Sequence, residues 1–224
     1  EQITKFVSQE NPDILCIQEF SPVDSIDFSQ YKNKHIVIEG NKNKYGQAIF
    51  SKFKIVNKGE ITFPKSSNKV IFADIVRKKD TIRVYSMHLQ SIKISTDLNE
   101  KIDEAKSKFI FKRISAAFSE QQQQAELIKA NVDKCHLPKI ICGDMNNSAF
   151  SYVYRLIKDN LNDAFEEAGS GFGKSYNFKY YPARIDYFLV EKEFDVKEYK
   201  SFDSFYNSDH FPLSTRLEFR KEEK

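Results

Sequence analysis

Seven polar side chains stand where apolar runs begin or end. The run ILCIQE closes on Glu19, RVYSMH closes on His88, and IICGDMN carries Asp144 and Asn146 at its tip. Asp186 lies within RIDYFLV, and Asp209 and His210 open the last apolar run. Strand tips in α/β sheets are where ligands gather. Carboxylate and amide oxygens suit a hard divalent cation, Mg²⁺ or Mn²⁺. A protonated imidazole donates to phosphate oxygens, and one held by a carboxylate is oriented for proton transfer. Each residue also has an ordinary reading. Asp144 and Asn146 suit a turn, His88 a hydrogen-bonded core position, Glu19 a solvated strand end and Asp186 an edge strand. The ensemble outweighs these readings, because two of only four histidines fall at such boundaries.

Other chemistries find less support. Cys16, Cys135 and Cys142 lack zinc-type spacing and read as small hydrophobes, and their odd number argues against a disulfide framework. The glycine-rich stretch GSGFGKS does not give the phosphate-binding pattern G-x-x-x-x-G-K-[ST]. A formal charge of +3 permits a phosphate-bearing partner without the basic stripe of a dedicated nucleic-acid binder. No apolar run approaches the ~20 residues that cross a bilayer. With 40% hydrophobic and 30% charged residues, the 224-residue chain is expected to be one soluble domain. His35 and His136 are expected to lie outside the site.

The elements that must position these residues are mostly strands. EQITKFVSQENPD places Ile3, Phe6 and Val7 on one helical face and stops at Asn11-Pro12. DILCIQEF, HIVIEG, QAIFSK, KIICGD, RIDYFLV and PLSTRLEF read as strands, and KVIFADIVRKKDTIRVYSMHL as a hairpin turning at Lys78, Lys79 and Asp80. From Asp97 to about Lys134 the pattern is helical, with Ile110, Ile114, Ala117, Gln121, Ala125, Ile128 and Val132 on the core face. SAFSYVYRLIKDN predicts a short helix capped by Ser148. The fold class is therefore mixed α/β: two packed, mainly antiparallel sheets flanked by helices in a four-layer sandwich.

The ordered set IQEF, YSMHLQ, CGDMNN, RIDYFLV and SDHFPL resembles the endonuclease/exonuclease/phosphatase superfamily, which has the deoxyribonuclease I-like fold. The resemblance spans nearly the whole chain and implies a Mg²⁺-dependent (or Mn²⁺-dependent) hydrolase of phosphate esters. It implies Glu19 as metal ligand, Asp209 on the metal side, and His88 at the scissile phosphate. Asp144 would activate or orient the attacking water, Asn146 would position it or the phosphate, and Asp186 would hold His210. Whether Asp144 or His210 takes the proton stays open. Nucleic acid is the expected substrate, with phospholipid or inositol phosphate as alternatives. Lys93, Lys101, Lys106, Lys108, Lys112 and Arg113 would serve a nuclease, although Glu100, Asp103 and Glu104 among them suit an ordinary solvated helix. Phe109, Phe111 and Phe118 would serve a lipid enzyme, but Ile110 and Ile114 mark the helix as core-packed. The competing class is a catalytically silent domain of this fold that binds nucleic acid or protein; the presence of Asp144, Asn146 and Asp209-His210 favours the enzyme. A monomer is expected. In this family a strand ending in asparagine precedes the first helix. Residues 1–224 are thus expected to be a truncated catalytic domain with an open edge beside Ile14, Cys16 and Gln18; release from an N-terminal membrane anchor, which some relatives carry, is one origin that the resemblance allows.

Overall fold

The computed structural model describes residues 2–22, 28–40, 45–64, 66–92 and 104–220. Helix α1 (Gln2–Glu10) leads into β1 (Ile14–Phe20), β2 (Asn33–Glu39) and β3 (Tyr45–Ser51). These strands form an antiparallel sheet in the order β1-β3-β2. Next come β4 (Lys54–Thr62), β5 (Lys69–Arg77), β6 (Asp80–His88), the long α2 (Glu104–Val132) and β7 (Lys139–Asp144). The chain continues through α3 (Tyr152–Lys158), β8 (Asn162–Asp163), α4 (Ala164–Ala168) and β9 (Asp186–Val190), and closes with β10 (Phe194–Ser201) and β11 (Leu213–Phe219). A six-stranded sheet runs β4-β5-β6-β7-β9-β8, and β10 pairs with β11 alone among the described residues. All pairs are antiparallel except β6 with β7.

Period-two alternation makes the layers. Along β6, Ile82 and Val84 face one way with Ser86 and His88; Ile140 and Cys142 of β7 and Val190 of β9 join them in a core that Ile14, Cys16, Val37, Leu217 and Phe219 cover from the smaller sheets. The opposite face, with Tyr85, Met87, Ile141, Tyr187 and Leu189, buries against Ala125, Ile128 and Val132 of α2 and Ile157 of α3. Behind the small sheet, Val7 of α1 packs near Phe20, Ala48 and Phe50. This is the expected four-layer arrangement, with its second layer divided into a three-stranded and a two-stranded sheet.

Several local expectations need correction. The cap of α3 is Ser151, whose Oγ accepts the Tyr154 N–H at 3.0 Å, not Ser148. The buried face of α2 begins at Ala117, and Ile110 and Ile114 are only half-buried, so the first part of the helix stands clear of the core. Residues 97–103 of the expected helix lie outside the described residues, as do Lys93, Glu100, Lys101 and Asp103. The three cysteines are free thiols, with Cys135 and Cys142 buried. Among the described residues no helix is long and apolar enough to cross a membrane.

Candidate active site

Strand register gathers the chemistry. Lys69 of β5 lies opposite His88 of β6, His88 opposite Asp144 of β7, and Asp144 opposite Asp186 of β9. Opposed residues point to the same face, so this row continues the face that carries the inter-sheet core. The polar row is therefore the open end of an apolar seam. β6 and β7 approach closely here. Gly143 has φ +124°, and a Cβ on it would sit 2.2 Å from the Met87 carbonyl oxygen. Glycine is the residue that the CGD sequence needs at this point.

Asp144 is the hub. Its Oδ1 accepts the Asn146 backbone N–H at 2.7 Å and its Oδ2 accepts the Asn146 side-chain amide at 2.6 Å. That turn holds Asn146 at φ +51°, where asparagine is tolerated. The same amide also donates to the Leu89 carbonyl at 3.0 Å. Asp144 Oδ2 lies 3.8 Å from His88 Nε2 and 4.0 Å from His210 Nε2. His210 Nδ1 donates to Asp186 Oδ2 at 2.8 Å, which leaves Nε2 directed toward Asp144.

Glu19 arrives from the other layer. The β1–β3 register slips between Ile17 and Phe20, and Glu19 takes φ +52°. Such a bulge re-aims a side chain out of the ladder. The Glu19 carboxylate is largely exposed and lies 3.9 Å from His88 Nε2, so Glu19 and Asp144 meet on the same ring nitrogen. Gln18 ties this tip to the large sheet by donating to Ser86 Oγ at 2.9 Å. Asp209 is exposed, its carboxylate takes the Ser208 hydroxyl at 3.4 Å, and its side chain lies outside the tight group of Asp144, Asp186 and His210. His35 is bonded to the Gly59 carbonyl and His136 is exposed, both away from this cluster.

The electrostatics follow from burial and from the crowding of acids. Burial, and then repulsion from Asp186, pushes the Asp144 carboxyl well above the ordinary carboxylate range, against the pull of His210 and the Asn146 N–H. Burial holds His88 below the usual imidazole value, with Glu19 acting in the other direction. Burial also opposes charge on His210, but the Asp186 hydrogen bond and the charges of Asp186, Asp144 and Asp209 outweigh it and raise His210 to about 9.

Three supporting residues were not singled out from the sequence. Gln18 is one. Ser175 is fully buried, and its Oγ accepts the N–H groups of Ile185 at 2.9 Å and Asp186 at 3.0 Å. Arg184 bonds the buried Asp163 at 2.6 Å, with its guanidinium over the rings of Phe165 and Tyr187. Their bonds go to backbone or to distant side chains, so strand periodicity carries no signal of them; Arg184 does stand inside the quoted RIDYFLV motif.

The sequence profile of the Endonuclease/Exonuclease/phosphatase family matches residues 1–210. The chain belongs to this family. An endonuclease/exonuclease/phosphatase protein of Beutenbergia cavernae has a similar structure, with TM-score 0.70 at 15% identity over 97% of this chain and 65% of the other. Mannosyl-6-phosphatase Bt3783 of Bacteroides thetaiotaomicron gives 0.67 at 18% identity, covering 97% and 90%. The human Nocturnin catalytic domain with bound sulfate gives 0.67 at 21%, covering 97% and 85%. No curated protein matches the sequence. For a member of the endonuclease/exonuclease/phosphatase family a divalent cation is the cofactor to test, and the donors suit one. Asp144, Asp186 and His210 offer ligand atoms within 4.8 Å of one another. Asp186 and His210 already satisfy each other, whereas the exposed Glu19 carboxylate presents hard oxygens beside His88.

Proposed function

We propose that this protein hydrolyses phosphate esters by in-line attack of a water molecule, with a divalent cation, Mg²⁺ or Mn²⁺, held by Glu19 and Asp209 on the metal side. The observation that carries this reading is the meeting of three groups at Asp144: His88 at 3.8 Å, His210 at 4.0 Å, and Asp186 fixing His210 from behind at 2.8 Å. When bound, the cation supplies Lewis-acid stabilisation of charge on the phosphoryl oxygens.

The chain's own residues do the rest. His210 is a cation at neutral pH, so its Nε2–H donates to a phosphoryl oxygen. His88, held toward the neutral form, contributes a second directional contact to the phosphate. Asp144 accepts the water's proton; a carboxyl pushed toward neutrality is a stronger base than a free one. Asn146, bonded to both Asp144 and the Leu89 carbonyl, fixes that base and places the water. Phosphodiesters, nucleic acid among them, are the first substrates to try. The exposed first part of α2 carries Lys108, Lys112 and Arg113 with Glu104, and a relative named as a mannosyl-6-phosphatase makes monoesters the second choice.

The test is hydrolysis of bis(4-nitrophenyl) phosphate with Mg²⁺ or Mn²⁺. Asp144→Asn should lower turnover by about 100-fold or more, and a chelator should abolish it. Turnover in Asp144→Asn equal to that of the unaltered protein would overturn the assignment of the base.

A further inference from the structure

Next to His210 the chain forms a ladder of rings that the chemistry above does not use. The His210 imidazole lies 4.9 Å from the Tyr176 ring, Tyr176 stacks at 6.5 Å and 22° on Phe178, and Phe178 meets Tyr181 at 4.7 Å and Tyr180 at 5.4 Å. The ladder starts inside the protein and ends in water. Tyr176 and Phe178 are half-buried, while Tyr180 is 49% and Tyr181 62% exposed. It is also pinned. Tyr176 N–H donates to the Ala183 carbonyl at 3.1 Å, Asn177 N–H to the Asp209 carbonyl at 2.8 Å, and Phe178 N–H to the Tyr176 carbonyl at 2.9 Å. Residues 170–183 include Lys174 and Lys179 but no carboxylate. Lys179 Nζ lies 5.9 Å from the Tyr180 ring centroid.

We propose that Tyr180 and Tyr181 form a stacking platform for the nucleobases of a single-stranded nucleic acid whose scissile phosphate sits at His210. This rests on the phosphodiesterase reading above and names the substrate class for it. An exposed pair of rings with the Lys179 ammonium near one of them fits a chain in which bases alternate with phosphates. A lipid surface would draw on the rings but not on their ordered path back to His210. A sugar phosphate alone would leave the outer two tyrosines without a partner. The inner rungs are pinned by backbone bonds and the two tyrosines rest on Phe178 before substrate arrives, which reduces the ordering required on binding.

The experiment measures binding, so it does not depend on turnover. Two fluorescent strands of about ten nucleotides are used, a length within the span of such sites: oligothymidylate, and a strand of the same phosphates with abasic residues throughout. The full chain with both tyrosines changed to alanine should bind oligothymidylate about 5- to 100-fold more weakly and should bind the abasic strand as before. The paired Tyr180→Phe, Tyr181→Phe variant should keep the affinity, because it keeps the ring faces. Both variants should melt with the unaltered protein, since the residues are exposed. Equal oligothymidylate binding by the alanine variant would overturn the proposal. So would equal losses on both strands, which would assign the effect to charge. Loss of binding to phosphatidylserine vesicles with oligothymidylate binding intact would assign the rings to a lipid surface instead. If the platform fails while bis(4-nitrophenyl) phosphate is still hydrolysed, the catalytic reading stands without it.

Discussion

The candidate site is assembled from two regions held in different ways. His88, Asp144 and Asp186 are successive members of one transverse row in the six-stranded sheet, and backbone ladders fix them, from both sides for His88 and Asp144 and from β7 for Asp186. Glu19 and His210 come from outside that sheet. One sits at a bulged strand tip and the other in the loop ahead of β11, each held by a few side-chain bonds. The sheet-held acid is buried and crowded by a second acid, and the loop-held partners bring the exposed carboxylate and the positive charge. The difference teaches where positional precision comes from. A ladder sets residues in register at no cost in side-chain ordering, whereas a group brought in by a loop must be tied down by specific partners.

The largest expected effect attacks the sheet. Gly143→Ala forces a Cβ against the Met87 carbonyl at a backbone angle that alanine resists. It should cost about 3 kcal/mol or more, read by urea denaturation, and hydrolysis should fall with it. Wild-type stability would mean that the β6–β7 approach does not set the row.

Asp186→Asn attacks the join between the two regions. Turnover should fall by about 100-fold, with substrate affinity changed much less. In cation-free protein, the His210 titration midpoint, followed by NMR, should drop from about 9 toward the ordinary imidazole value near ~6.5. The sign is fixed by the direction of the shift. A histidine raised on folding contributes stability that is complete below the unfolded value of about 6.5 and is lost as pH rises through about 9. The variant should flatten stability across that window, and an unaltered pH dependence would remove Asp186 as the source.

The smallest effect belongs to a residue that ties the loop to the end of the row through backbone N–H groups alone. Ser175→Ala strands the N–H groups of Ile185 and Asp186 and should cost about 1–3 kcal/mol. Turnover measured well below its melting temperature should change only slightly. A loss of turnover as large as that of Asp186→Asn would show that the loop sets the row as firmly as the ladder does.

What the sequence made legible follows the same division. Short apolar runs ending in polar groups pointed to β1, β6, β7 and β9, because buried strands break alternation and their tips stand out. Three strands escaped. β8 is only the two residues Asn162–Asp163, too short to show a period. β4, KIVNKGEIT, is an edge strand with mostly exposed residues, and β10, FDVKEYKS, interleaves charges with its buried Phe194 and Tyr199. Periodicity on α2 ran past the point where the body ends, since a repeat shows which face is apolar but not what stands opposite it. Ser148 and Ser151 both precede α3, and only the position of the first helical N–H groups chooses between them. The register that lines up His88, Asp144 and Asp186 is a relation between strands remote in sequence, and no single run contains it.

The shared register also bears on how this scaffold tolerates insertions. One residue added within β6, β7 or β9 would turn the site side chain to the helix-covered face, because alternation has a period of two. Residues added between Gly169 and Ala183, or between Ser201 and Asp209, would leave every rung of β6, β7 and β9 in step. New specificities grafted onto this frame therefore belong in those loops, and a deletion library should find its inactive clones inside the strands.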